Sequence, residues 1–120
     1  MPILGHVAKH TQYPGPNEAL ARYESLVARH PEAERRGAKN PYTSVNGWMT
    51  SFLDPGGRLH LRMGDDARAA VTADGGVPTK QYGKNMPEFV GVTEDAFADA
   101  TRADELFASS WEWSASKPPK

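Results

Sequence analysis

The residues of this 120-residue chain that could do chemistry are few. It has four histidines, three tryptophans and no cysteine. Without cysteine there is no disulfide, no thiolate metal site and no cysteine nucleophile. His6 and His10 stand four apart, a spacing that can set two imidazoles on one helical face for a metal. No acidic ligand or helix signal accompanies them, so they read as histidines of a terminal arm. His60 lies between Arg58 and Arg62 on what alternation makes the wet face of a strand. There it is a solvated residue or, in the sharper reading, a ligand-binding one. His30 ends a helix, where a cation would complement the dipole. Ser44, Ser51, Ser109 and Ser110 lack the glycine context of a nucleophile elbow. Asp65-Asp66 and Glu94-Asp95 each open a helix, where the dipole accounts for their charge. Gly56-Gly57 follows a turn proline and Gly75-Gly76 follows a helix, so neither is a phosphate loop. No catalytic, cofactor-binding or metal-binding residue is assigned, and the chain reads as non-enzymatic.

Two groups remain as interaction candidates. Arg58 and Arg62 could be joined by Arg35, Arg36, Lys39, Lys80 and Lys84. Sharing a face with Tyr42 and Trp48, they would suit an anionic partner or a nucleic acid. Acidic residues in similar number make an ordinary charged sheet face the simpler reading. Trp111 and Trp113 are two apart on a helix and cannot both face one core line. Either one sits at an interface edge, or the tail folds back over Trp113. The candidate interaction residues are therefore Tyr42, Trp48, Arg58, His60, Arg62, Trp111 and Trp113.

These residues need elements to hold them, and turn chemistry supplies most of the boundaries. Residues 1–15 mix Pro, Gly, His and Gln without periodicity and read as an arm, with Ile3, Leu4 and Val7 available to dock. Residues 16–30 carry Leu20, Tyr23, Leu26 and Val27 at helical spacing, and Pro31 stops the run. A β-meander follows from Tyr42 to Met63. Asn46-Gly47 signals a type I′ hairpin turn. Asp54-Pro55-Gly56-Gly57 is a second turn. In the third strand Leu59, Leu61 and Met63 alternate with Arg58, His60 and Arg62, which predicts one buried and one wet face. In the middle strand Trp48 and Phe52 fall on one face, Met49 and Leu53 on the other, so its second face is covered too, by the arm or by a partner. Asp65 caps a helix over residues 66–73. Strands at 79–82 and 88–92 flank Gly83-Lys84-Asn85, with Pro87 at a strand start. Thr93 caps a short helical turn. Thr101 and Asp104 read as a capping box for a last helix over 102–115. Residues 117–120 read as a solvated tail. The order is α-β-β-β-α-β-β-α, an α+β fold with a five-stranded, mainly antiparallel sheet and helices on one face.

Length and composition fit one domain over residues 16–116, with 38% hydrophobic and 24% charged residues. A formal net charge of −1 lends no bulk support to duplex-DNA binding. No apolar run approaches the ~20 residues of a bilayer span, and the N-terminus has no secretory pattern. The expected location is the cytoplasm, with no membrane partner.

The stretch Gly37-Ala38-Lys39-Asn40-Pro41-Tyr42-Thr43-Ser44-Val45-Asn46-Gly47-Trp48-Met49, followed by Ser51-Phe52-Leu53, resembles the N-terminal domain of the TfoX/Sxy family. So does Gln81-Tyr82-Gly83 with Met86-Pro87-Glu88-Phe89-Val90 and Val92. The resemblance spans residues 18–120 and implies a two-layer α/β fold of the order above. Founding members regulate natural competence with other transcription factors and carry a second, helical C-terminal domain, which these residues do not include. What the resemblance implies here is a regulatory or protein-interaction role, with a protein partner or self-association. A nucleic-acid module on the basic face and a small-molecule binder are the alternatives.

Overall fold

The computed structural model describes residues 12–120. His6, His10 and the docking expected of Ile3, Leu4 and Val7 lie outside the described residues. Among the described residues of the arm, Tyr13 docks: it is buried, and its hydroxyl donates to the Asp54 carbonyl at 2.5 Å.

Helix α1 spans Asn17–Ala28 and buries Ala19, Leu20, Tyr23, Leu26 and Val27, the face that its spacing marks out. Then come β1 (Tyr42–Val45), β2 (Trp48–Leu53), β3 (Leu59–Arg62), α2 (Asp65–Ala73), β4 (Val77–Gln81), β5 (Lys84–Gly91), α3 (Glu94–Ala98) and α4 (Ala100–Ala115). The sheet order is β1-β2-β3-β5-β4 and every pairing is antiparallel. The fold is therefore α+β with a five-stranded antiparallel sheet, as expected. α2 carries the chain to the far edge, and the β4–β5 hairpin brings it back beside β3.

Leu53, Leu59, Leu61, Met63, Val90 and Val92 join Leu20, Tyr23, Leu26 and Val27 of α1, Val71 of α2, Phe97 of α3 and Leu106 and Phe107 of α4 in one buried cluster. The first two strands add a polar layer to this side of the sheet. Thr43 Oγ1 is 2.6 Å from both Thr50 Oγ1 and Ser51 Oγ, and Ser51 Oγ is 2.7 Å from the Tyr23 hydroxyl. Ser110 of α4 donates to the Thr50 carbonyl at 3.0 Å. Each buried hydroxyl in this row has a partner, as low-dielectric surroundings require. Burial pushes the Tyr23 phenol up to about 12, against the pull of Ser51, Thr43 and Arg35, so it stays a hydroxyl at neutral pH.

The β1–β2 and β4–β5 hairpins each turn on two residues with positive φ. Asn46 and Gly47 do so where the sequence places them. The second pair is Tyr82 and Gly83, so β4 and β5 are longer than the expected 79–82 and 88–92. Pro87 sits inside β5 and not at its start. The β4–β5 register jumps between Pro78↔Val90 and Lys80↔Asn85, and Pro87 falls in that irregular stretch, where its missing N–H breaks no ladder.

Two helix starts also differ from expectation. α2 begins at Asp65 with Gly64 at the cap, and Asp65 pairs with Arg68 instead. α4 begins at Ala100, where Asp99 accepts from the Arg102 N–H at 3.2 Å. Asp104 is thus already inside the helix and bonds Arg29 Nε at 2.8 Å, so Thr101 and Asp104 form no capping box. Thr93 caps α3 as its position predicts, accepting from the Ala96 N–H at 3.1 Å.

The departure with most consequence for the site is in β2. Thr43 pairs with Ser51 but Ser44 pairs with Met49, so Thr50 is an extra residue, a β-bulge. Alternation resets there. Met49 joins Phe52 on the face away from the helices, and Trp48 crosses to the opposite side from the one strict alternation predicts.

Candidate functional site

The sheet face turned away from the helices carries Tyr42, Arg58, His60 and Arg62, but it is not the wet basic surface that alternation predicts. His60 is 4% exposed. Its ring stacks on Phe52 at 4.5 Å with the planes 4° apart. His60 Nε2 lies 2.7 Å from Asp54 Oδ2 and Nδ1 lies 2.8 Å from Thr79 Oγ1. Asp54 Oδ1 accepts from the Gly56 and Arg58 N–H groups, each at 2.9 Å. Gly91 makes this packing feasible: a Cβ there would fall 2.8 Å from Arg58 Cδ and 3.1 Å from His60 Cε1.

Burial lowers the His60 imidazole below its ordinary 6.5, aided by Arg58 and opposed by Asp54. Burial raises Asp54, but the bonds from His60 and from the Arg58 and Gly56 N–H groups outweigh it and leave the carboxyl below 3.8. At neutral pH, then, a neutral His60 donates through Nε2 to ionised Asp54 and accepts through Nδ1 from the Thr79 hydroxyl. Hydroxyl, imidazole and carboxylate stand in the order that activates a nucleophile. Thr79 is only 2% exposed, so its hydroxyl is spent within the fold on His60. The row's evident work is to tie the β2–β3 turn to β4.

Arg58 and Arg62 are also engaged. Arg58 donates to the Val92 carbonyl at 2.9 Å. Arg62 Nε donates to the Met49 carbonyl at 2.7 Å, and its other arm pairs with Glu88. The Arg62 guanidinium carbon lies 4.6 Å from the Phe89 ring centroid and 5.2 Å from that of Trp48. The wider basic row does not assemble: Arg35 pairs with Glu24 at 3.4 Å and Arg36 with Glu34 at 3.0 Å.

The tryptophans separate. Trp111 packs on Phe107, with ring centroids 6.3 Å apart, beside a surface groove shared with His30, Ala33 and Val45. Trp113 and Trp48 come together under the C-terminal segment. That segment stays exposed at residues 118–120, as expected of a tail, but it is docked: Trp48 Nε1 donates to the Pro118 carbonyl at 2.8 Å, and Lys117 Nζ lies 4.7 Å from the Trp113 ring centroid. The tail does fold back over Trp113.

Tyr42 belongs to a different feature. Tyr42, Met49, Phe52 and Pro41 line a cleft of about 410 Å³ on the open face. Lys80, Gln81 and Tyr82 of the β4–β5 hairpin close its other side. Tyr82 is 81% exposed and holds φ at +54°. A positive φ is unusual for an aromatic residue and costs it about 1–2 kcal/mol. Asp54, Thr79, Tyr82, Glu88 and Lys117 were not among the sequence candidates. Only Tyr82 left a usable signal, as the residue before a turn glycine.

Among the described residues no three His, Asp or Glu side chains gather as a metal site would need, and no helix is long and apolar enough to cross a membrane. Compared with protein-family models, with curated proteins and with solved structures, the chain matches none of them.

Proposed function

We propose that the chain is a non-catalytic protein-interaction domain of the TfoX N-terminal type. Its docking point in this reading is the open-face cleft, which takes an apolar side chain from an extended segment of a protein partner. The observation that carries the reading is Tyr82. A large aromatic ring stands in solvent at the rim of an apolar cleft, in a backbone conformation that glycine or asparagine would hold at lower cost. Aromatic anchors beside apolar pockets are the usual centres of protein interfaces. The engagement of Arg58 and Arg62 within the fold leaves the nucleic-acid alternative without its principal phosphate contacts.

The test places a photo-crosslinking benzophenone side chain at position 82 and, as a control, at the exposed Asp66, in cells. A discrete protein adduct is expected from position 82 only, and Met49→Lys, which puts a charge in the cleft, should abolish it. Equal adducts at both positions, or none at 82, would sink the proposal. A companion measurement addresses strain. Tyr82→Asn is expected to leave the thermal midpoint unchanged or raise stability by up to about 1 kcal/mol, since asparagine tolerates the left-handed region. A clear loss of stability would mean that the ring serves the fold instead.

A further inference from the structure

The C-terminal segment fills a site of another kind. Lys117 Nζ lies 4.5 Å from the Trp48 ring centroid, 4.7 Å from that of Trp113 and 3.2 Å from Glu88 Oε2. An ammonium between two indoles and a carboxylate sits in an aromatic cage, the arrangement that attracts cations through ring quadrupoles and charge. The walls of the cage are held by groups other than Lys117. Arg62, fixed by the Met49 carbonyl and flanked by Phe89, takes Glu88 Oε1 and leaves Oε2 to the ammonium. Trp113 packs directly on Gly64, where a Cβ would lie 2.8 Å from Nε1.

The backbone of the segment is read as well. The Trp48 indole N–H donates to the Pro118 carbonyl at 2.8 Å, and the Lys120 N–H donates to the Asn46 carbonyl at 2.9 Å. Pro118 and Pro119 between them have no N–H to satisfy. Lys120 Nζ adds a second cation 4.9 Å from the Trp48 centroid. An aromatic side chain bonding a carbonyl of a proline-rich stretch is how grooves recognise preformed polyproline segments. The contacts are also of the kind that exchange. The Glu88 side chain is 37% exposed and that of Lys117 19%, and a pair that solvent reaches from one side adds only a modest attraction.

We propose that Trp48, Trp113 and Glu88 form a binding site for a lysine followed by prolines on another protein, and that Lys117-Pro118-Pro119-Lys120 occupies it in cis as an exchangeable stand-in. A partner segment must then compete with a tethered occupant of high effective concentration. Loss of the tether's lysines should unmask the site. This inference concerns a surface other than the open-face cleft and does not rest on the reading proposed for it.

The experiment uses the full chain with Lys117→Gln and Lys120→Gln, and the blocked peptide Ser-Lys-Pro-Pro-Lys as probe. The readout is the three indole N–H signals by NMR, with Trp48 identified through Trp48→Phe. Saturable shifts of the Trp48 and Trp113 signals are expected, at peptide concentrations at least tenfold below those the unsubstituted chain requires. They should vanish when Glu88→Gln is added, and with a peptide carrying glutamine for both lysines. No saturable shift in a variant that keeps a cooperative thermal transition overturns the proposal. If the double variant fails to fold, Lys117→Gln alone supplies the same readout. A concentration-dependent dimer of the unsubstituted chain that Lys117→Gln abolishes would assign the cage to a second copy's tail and overturn the assignment to another protein.

Discussion

His60→Ala is expected to cost the fold about 3 kcal/mol or more in urea titrations at pH 8. The substitution removes the ring that stacks on Phe52 and leaves a void on a surface only 4% exposed. It also leaves the Thr79 hydroxyl without its partner and Asp54 Oδ2 without its donor. The orphaned, buried Thr79 hydroxyl costs on the order of 1–3 kcal/mol, and the Asp54 carboxylate, 30% exposed, less because water reaches it. The same residue sets a pH dependence. Its folded pKa lies below the unfolded value near 6.5, so the unfolded chain takes up the proton first. Stability from this residue is therefore complete above pH 6.5 and declines as the pH falls from 6.5 toward the folded pKa. Asp54, also depressed, adds a second loss as the pH falls below 3.8. The thermal midpoint should be flat between pH 7 and 8 and fall between 6.5 and 5. His60→Gln should start lower at pH 8 and show a shallower fall over that interval. An unchanged slope in His60→Gln would place the titration elsewhere.

Phe107→Ala is the other large effect, with an expected cost of about 3–5 kcal/mol by chemical denaturation. Phe107 is 1% exposed in the centre of the core cluster. It meets His30, just beyond α1, at 4.4 Å between ring centroids and Trp111 at 6.3 Å. Set against the roughly 5–15 kcal/mol by which small domains are stable, the variant should lie close to the folding limit. Trp111 loses its stacking partner as well, so the native fluorescence should shift to longer wavelength. A cost below about 1 kcal/mol would show that α4 does not organise the core in the way its burial implies.

The sheet was legible in the sequence because turns and alternation are local properties. Asn46-Gly47 set the first hairpin, and Leu59, Leu61 and Met63 declared the helix-facing side without reference to anything distant. The open face was not legible, for a reason of range. Arg58, His60 and Arg62 look solvated by alternation, since nothing nearby in sequence announces their cover. That cover comes from Thr79, Phe89 and Glu88, each 19 residues or more away from the residue it bonds or stacks against. The polar groups of the meander's second face satisfy one another across the sheet, and only the strand order β3-β5-β4 brings them together. Tyr42 and Trp48 were named as aromatics that could share the basic face; Tyr42 instead lines the cleft and Trp48 lies under the tail. Glu88 and Lys117 were passed over as ordinary surface charges. Thr93 was found as a cap, while the caps of α2 and α4 lie one and two residues before the expected Asp65 and Thr101, the scale on which Asp, Thr and Gly compete for the same position.

The bulge at Thr50 has a consequence for how this surface can vary. With one residue more than its partner strand, β2 points Met49 into the cleft and Trp48 toward the tail. Both proposed binding features are thereby written in adjacent letters of one short strand, and the spare residue decides which side of the sheet each takes. Ironing the bulge out with every residue kept would transpose the two, the methionine facing the tail and the indole filling the cleft, whereas deleting Thr50 would leave each on its present side. A single-codon deletion at Thr50 should therefore spare both surfaces, while every core-facing residue from Ser51 onward keeps its place.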